Sequence, residues 1–431
     1  MSIDYTGTHF ESASALYRQR MGWLQTDRIS MQSMLDLEYR LRVHLHVLSR
    51  CINSNDPEPE QAAETFIYLA ARFSSRETEL ETEAAVLACK WLSEDGPRAH
   101  GARDALLLFP SPTVYAQMQQ TYVTVESLRP VLIYILTQHG ARLPKGLTNQ
   151  AELQNQDPFL QAQTLYYAAN DTHSDMSTFN EYYASLMNNP DSYTPEHGTM
   201  VAAIWGGLVR DDSDAKTALQ RAIERETDDI QRLDFLRLAA MLGNPDYFPI
   251  LLPVVEKIPE VGYHFMALHG QTESAAVILE GLMHPRTAKY AEQAWWWVSG
   301  QILPRKPRLS VVGENNEDQE LEEEVGYVPD QQAAEKWWNR HANGKSLRWL
   351  QGQPFSSVIV SKLLSQYTGL ISNDIFDLFA LATHVPLQLG NYTWHETRLR
   401  KISQLGQQAK IVTNSSSRPD SAGLDHGVRS A

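Results

Sequence analysis

Cysteine is scarce in this chain: Cys51 and Cys89 are the only two among 431 residues. A disulfide framework of the kind that holds small secreted domains is therefore excluded, and a single optional bridge is the most the composition allows. The flanking residues, LSRCIN and VLACKW, read as helix interior, so both thiols are expected to be free and buried in a reducing compartment. Long apolar runs are missing too. The richest stretch, YFPILLPVVEKIP, is short and broken by Pro249, Pro253 and Pro259, so no segment is expected to cross a bilayer. The opening MSIDYTGTHFES shows no basic start ahead of an apolar core, and the expectation is a cytoplasmic protein without a secretory leader. The sequons at Asn170, Asn391 and Asn414 are then chance matches.

Positive charge is in deficit. Lys and Arg number 37 against 52 Asp and Glu, a formal net charge of -15, which argues against nucleic acid or an anionic membrane as the partner. Strand-type alternation of apolar and polar residues is absent, so no β segment is expected. There is no Ser-His-Asp arrangement, phosphate-binding loop or zinc spacing. A di-iron site on a helical scaffold would need several His-Glu dyads, and the chain has His395-Glu396 and a reversed Glu196-His197. His44 and His46 lie on nearly opposite faces of one helix, and His264 and His269 straddle a helix end. No catalytic residue, cofactor or metal site is expected. His139 and His269, each before a turn glycine, are expected to meet the dipole and free carbonyls at a helix C-terminus. Arg398-Leu399-Arg400-Lys401 reads as cations at a helix end.

What is present is a repeat. LRLAAMLGNPDYFPILLPVVEK aligns on GYHFMALHGQTESAAVILEGL so that the turns Gly243-Asn244-Pro245-Asp246 and His269-Gly270-Gln271-Thr272 fall in register. Turn centres near Gly140, Asn170, Arg210, Gly243, Gly270 and Gly300 recur about every thirty residues, as in stacked helical pairs. Leu236, Leu238, Ala239 and Leu242 form one apolar stripe, and Phe248, Leu251, Leu252 and Val255 another; a single pair cannot cover both, so stacking must. The expected fold is an all-α, HEAT-like solenoid.

Read in order, residues 1–95 form a helical N-terminal cap ending before Gly96-Pro97, and residues 96–303 the repeats. Residues 304–335 form an acidic, disordered insert, 336–405 a helical C-terminal cap that closes the array, and 406–431 a disordered tail. In the second helix, Met34, Leu37, Leu41, Leu45, Leu48 and Ile52 share a stripe that Ser30 can cap. The insert contains GENNEDQELEEEVGYVPD, without Lys or Arg, and tryptophans flank it: Trp295-Trp296-Trp297 before, Trp337-Trp338 and Trp349 after. Successive helical residues are about 100° apart, so at least one tryptophan of the triplet should leave the core and could anchor a partner. The alternative is a packed aromatic junction in which Trp337 and Trp338 cover the triplet. Trp296, Trp297, Trp337, Trp338 and the acidic Glu320, Glu322, Glu323 and Glu324 are the candidate partner-binding residues.

Four segments occur in a suggestive order: LDLEYRLRVHLHVL at 35–48, AWWWVSGQIL at 294–303, the acidic insert ending in Pro329-Asp330 before a Trp-Trp helix, and GKSLRWLQGQPFS at 344–356. Together, over roughly Phe10 to Ile402, they make the chain similar to an uncharacterised bacterial family of HEAT-like proteins often encoded beside type VI secretion spike and effector genes. Ser299-Gly300 departs from the Thr-Gly expected there. The resemblance implies a protein-binding accessory or adaptor whose partner is a type VI spike protein or effector, and carries no catalytic residues over. The alternatives are a nucleic-acid-acting enzyme of the HEAT-like glycosylase type and an immunity-like protein that binds a toxin.

Overall fold

The computed structural model describes residues 5–51, 58–75, 77–143, 157–171, 177–187, 195–307, 327–342, 347–385, 390 and 392–404. The first helices are α1 (Tyr5–Leu24), α2 (Met31–Leu48), α3 (Ala62–Phe73), α4 (Thr78–Leu92), α5 (Pro97–Leu108), α6 (Pro112–Thr124) and α7 (Arg129–His139). α8 (Pro158–Asn170) and α9 (Ser177–Tyr183) lead into the pairs that the recurring turns anticipated. These are α10 (His197–Val209) with α11 (Ser213–Arg225), α12 (Asp229–Leu242) with α13 (Phe248–Lys257), and α14 (Pro259–His269) with α15 (Thr272–Gly281), followed by α16 (Ala288–Ser299). Helices α7, α8, α10, α12, α14 and α16 stack in that order, and α11, α13 and α15 form a second layer against them. The fold is an all-α helical-repeat array, solenoid-like in its two layers.

Local chemistry starts and stops these helices where the sequence says it should. Ser30 accepts a hydrogen bond from the Ser33 amide at the head of α2, and Asp228 accepts from the amides of Ile230 and Gln231 at the head of α12. Gly140, Gly243, Gly270 and Gly300 end α7, α12, α14 and α16 with φ of 65°, 62°, 63° and 71°. Only glycine enters this left-handed region without strain. Buried side chains form two clusters, one built on α1 to α8 and one on α8 to α16 with the C-terminal helices. Gly96-Pro97, the boundary read from the sequence, lies inside the first, where α5 packs on α3 and α4. Cys89 is buried, but Cys51 is exposed, correcting the expectation of two buried thiols: α2 ends at Leu48 and leaves Cys51 in the turn beyond it.

Short strands correct the expectation of none. β1 (Ile29–Ser30) pairs with β6 (Tyr367–Thr368), β2 (Arg305–Pro307) with β3 (Tyr327–Pro329), and β4 (Trp349–Leu350) with β5 (Gln353–Pro354). Two or three residues are too few to show alternation. The β2–β3 ribbon and the start of α17 (Gln331–His341) fall within the segment 304–335 read as the acidic insert. Residues 308–326, with Glu320, Glu322, Glu323 and Glu324, lie outside the described residues, as does the tail from 405 onward.

The C-terminal elements do more than cover the end of the array. α17 packs on α15, but α18 (Ser357–Gln366), α19 (Ile371–Thr383) and the helical residues 395–404 run back toward the N-terminus. α19 lies on α12 and α10, α18 reaches α2, and β6 pairs with β1. Residues 348–352 thread past the C-terminal ends of three stacked helices. Arg348 Nη2 donates to the carbonyls of Met241 and Leu268, both at 2.7 Å. The Trp349 amide donates to Gly270, and the amides of Gln351 and Gly352 donate to Trp297 and Val298. Last-turn carbonyls that the helices cannot satisfy themselves are thereby bonded.

The turn glycines also make room for this strap. A Cβ on Gly270 would sit 2.6 Å from the Trp349 carbonyl oxygen, and the backbone there holds φ +63°. Gly270→Ala is therefore expected to destabilise by about 2–3 kcal/mol in denaturant unfolding. Gly22→Ala, where nothing lies within 4 Å, is the control and should be neutral or slightly stabilising. Equal effects at the two positions would refute the close approach of strap to turn.

Candidate functional site

Trp295, Trp296 and Trp297 are all buried, at 0%, 8% and 5% exposure, which corrects the expectation that helical spacing drives one into solvent. The reason is that neighbours cover these three side chains from different sides of α16, whose Lys289 and Gln293 stay exposed. α14 and α15 pack along it, α17 and the β4 strand cover Trp295, and Arg28 with Tyr367 cover Trp296. Trp295 meets Trp337 and Trp338 edge-on at 5.6 and 6.3 Å, and Trp338 meets Trp349 at 5.6 Å. This is the packed aromatic junction. Trp337 and Trp338 are half-buried members of it.

Trp296 and Trp297 belong to a different place. They floor a cleft of about 360 Å³ together with Asp27, Arg28, Glu260, His264, Lys289 and Arg305. The Arg28 guanidinium stacks 3.7 Å over the Trp296 ring, and His264 meets Trp297 edge-on at 6.1 Å. Asp27, Glu260, Lys289 and Arg305 are exposed, giving a rim of both signs. Arg305 pairs with Glu292 at 3.0 Å and Lys306 with Asp330 at 2.9 Å, which fixes the β2–β3 ribbon beside the cleft. The four candidate tryptophans thus divide into two that line a cleft and two that pack behind Trp295.

Behind Trp297 runs a charged network that the sequence reading missed. His264 Nε2 lies 2.8 Å from Asp374 Oδ2, and Arg237 donates to Asp374 at 2.6 Å and to Asp377 at 2.8 Å. Burial alone would raise the Asp374 carboxyl, but the bonds from His264 and Arg237 hold it below its usual range. For Asp377 burial prevails over Arg237, and its pKa is raised. Asp374 and Asp377 are three residues apart on α19, so both reach Arg237 on α12.

A second missed cluster joins the chain's two ends. Arg20, Glu38, His395 and Arg398 are all 0% exposed. Arg20 Nε donates to Glu38 Oε1 at 2.7 Å, and the His395 backbone amide donates to Oε2 at 2.9 Å. His395 Nδ1 is 2.8 Å from Oε1, and its Nε2 is 2.7 Å from the Thr368 hydroxyl. Burial opposes ionisation of Glu38, yet Arg20 and His395 outweigh it and hold the pKa at about 2. Burial lowers the pKa of His395, so the neutral ring donates from Nδ1 and accepts from Thr368. Arg398 donates to Ser372 and to the Tyr367 carbonyl from inside the protein, within the helical residues 395–404, which corrects its reading as a cation at a helix end. The available signal was Glu38 itself, four residues from Met34 and three from Leu41 on an apolar stripe.

His139 and His269 do meet carbonyls, those of Leu107 and Asn244, each at 2.9 Å. Burial pushes His139 down to about 4 and lowers His269, so these are neutral hydrogen bonds and the expected charge–dipole contact is corrected. Among the described residues no group of three or more His, Cys, Asp or Glu is placed to hold a metal, and no helix is long and apolar enough to cross a membrane. Comparison with family models, curated proteins and solved structures finds no match to this chain.

Proposed function

We propose that this chain is a non-catalytic protein-binding scaffold, an accessory or adaptor in type VI secretion spike and effector assembly. The observation that supports binding is the cleft over Trp296 and Trp297, where an aromatic floor lies under an exposed rim of mixed charge. Such a site recognises a protein surface by packing at its centre and by charge at its edge. In sequence the acidic segment lies between β2 and β3, and its charge favours a basic partner at low salt. The order of the four family-like segments supports the secretion context.

The test is affinity purification of the tagged chain from producing cells, against a tag-only control, followed by binding of the purified partner. Recovery of a spike protein or effector is expected. A variant combining Glu260→Lys and Lys289→Glu, both exposed, should weaken that partner at least about tenfold with the fold unchanged. Recovery of nucleic acid alone, released steeply by salt, would replace this reading with a nucleic-acid-acting one.

A further inference from the structure

Away from the tryptophan cleft, two cavities of about 340 and 320 Å³ share four lining residues, Gln163, Tyr166, Trp205 and Asp377. They adjoin along these four residues, as two lobes at α8, α10 and α19. The rings of Tyr166 and Trp205 meet at 5.2 Å and 59°, forming an aromatic corner where the lobes join. Tyr134 adds a third ring to the first lobe. The Asp377 side chain is 24% exposed, so its carboxylate is reachable from the cleft.

The balance of charge decides what this cleft would take. Among the described residues Arg237 is the only Lys or Arg lining either lobe, and it is shared between Asp374 and Asp377. Asp234 adds a further carboxylate to the second lobe, paired at 2.9 Å with His197. Even with His197 and His264 counted as cations the cleft gains no positive excess, so an anion finds no unengaged partner. A purely apolar ligand would leave the Gln163 amide without water. Cations beyond the walls are already engaged: Arg103 stacks on Tyr392 and bonds Asp104, and Arg398 stacks on Phe376. Among the described residues no cation stacks on Tyr166 or Trp205, and an aromatic face next to a partly neutralised carboxylate attracts an organic cation.

We propose that this two-lobed cleft binds an alkylammonium ion, with Asp377 as its counter-ion and Tyr166 and Trp205 as its walls. Each lobe has the volume of a small-ligand site. The ammonium can arrive on a free amine or on a lysine side chain of a protein partner, since the recognised group is the same. The free-amine case stands whether or not the adaptor reading holds.

Isothermal titration of the full chain with cadaverine, with pentanediol as the neutral isostere and with an acetylated, amidated trilysine peptide, tests the assignment. Saturable binding of the diamine or the peptide, but not of the diol, is expected. Peptide binding alone assigns the cleft to a lysine side chain; diamine binding alone assigns it to a free amine. Asp377→Asn should weaken binding at least about tenfold, the scale of a charge-assisted contact. Because that change also disturbs Arg237, Gln163→Lys is the second variant: it places the chain's own ammonium in the cleft and should abolish binding while leaving the Arg237 pairs intact. No saturable binding of either cation, equal binding of the diol, or unchanged binding by Gln163→Lys would overturn the proposal.

Discussion

Glu38→Gln is expected to destabilise the chain by about 3–5 kcal/mol, because it removes the counter-ion of a buried guanidinium and leaves Arg20 uncompensated. Arg20 and Glu38 are both 0% exposed, so water cannot take over the lost contact without opening the junction. The same carboxylate also anchors the His395 amide and ring, so the loss should loosen the helical residues 395–404 from α1 and α2. The pH dependence follows from the sign of the shift. Glu38 falls from an ordinary 4.5 to about 2 in the folded chain, so its contribution is fully present above pH 4.5 and is lost as pH falls toward 2. That window holds on the order of 3 kcal/mol. Urea unfolding at several pH values should show a slope there in the native chain that Glu38→Gln lacks. A variant as stable as the native chain would remove the junction from this account.

The second large effect is expected at Arg348. Its guanidinium reaches the carbonyl ends of α12 and α14 together, donating to Met241, Leu242 and Leu268, and stacks 3.8 Å over Phe355. No carboxylate forms an ion pair with it among the described residues; burial lowers its pKa, and helix-end carbonyls are what favour the charge. Arg348→Met should cost about 2–4 kcal/mol, less than the sum of three charged hydrogen bonds because desolvation of the guanidinium is recovered. Arg348→Lys should recover only part, since an ammonium is a point charge and cannot fork across two helix ends. A cost below about 0.5 kcal/mol for Arg348→Met, the level of an ordinary surface change, would mean that the strap does not hold those ends together.

The repeats were legible because their signals are local. A glycine after an apolar helical run can only mean a left-handed turn or a break, and Gly243, Gly270 and Gly300 all proved to be such caps. The return of the C-terminal segment was not legible, because its contacts span more than a hundred residues: Arg237 to Asp374, Arg20 to Thr393, Glu38 to His395. Pattern reading sees a polar residue on an apolar stripe but not its partner. The tryptophan triplet misled for a related reason, since periodicity gives the angle between side chains and says nothing of how many neighbours surround the helix. Of the candidate site, the aromatic floor was readable as residue type. The mixed-charge rim from α14, α16 and the segment at Asp27 and Arg28 depends on how distant elements meet.

The chain closes on itself, with residues 347–371 bound along the helix ends and back to the segment after α1 and to α2. Native-state hydrogen exchange read by mass spectrometry tests it most directly. The amides of Trp349, Gln351, Gly352, Leu370 and Ile371 all donate to backbone carbonyls, the last two to Thr26 and Asp27. Peptides covering these amides should exchange as slowly as those from the buried stretch of α12, opening only with the global transition. Exchange within seconds while α12 stays protected would show an open array with a loose C-terminal segment, and would contradict the account.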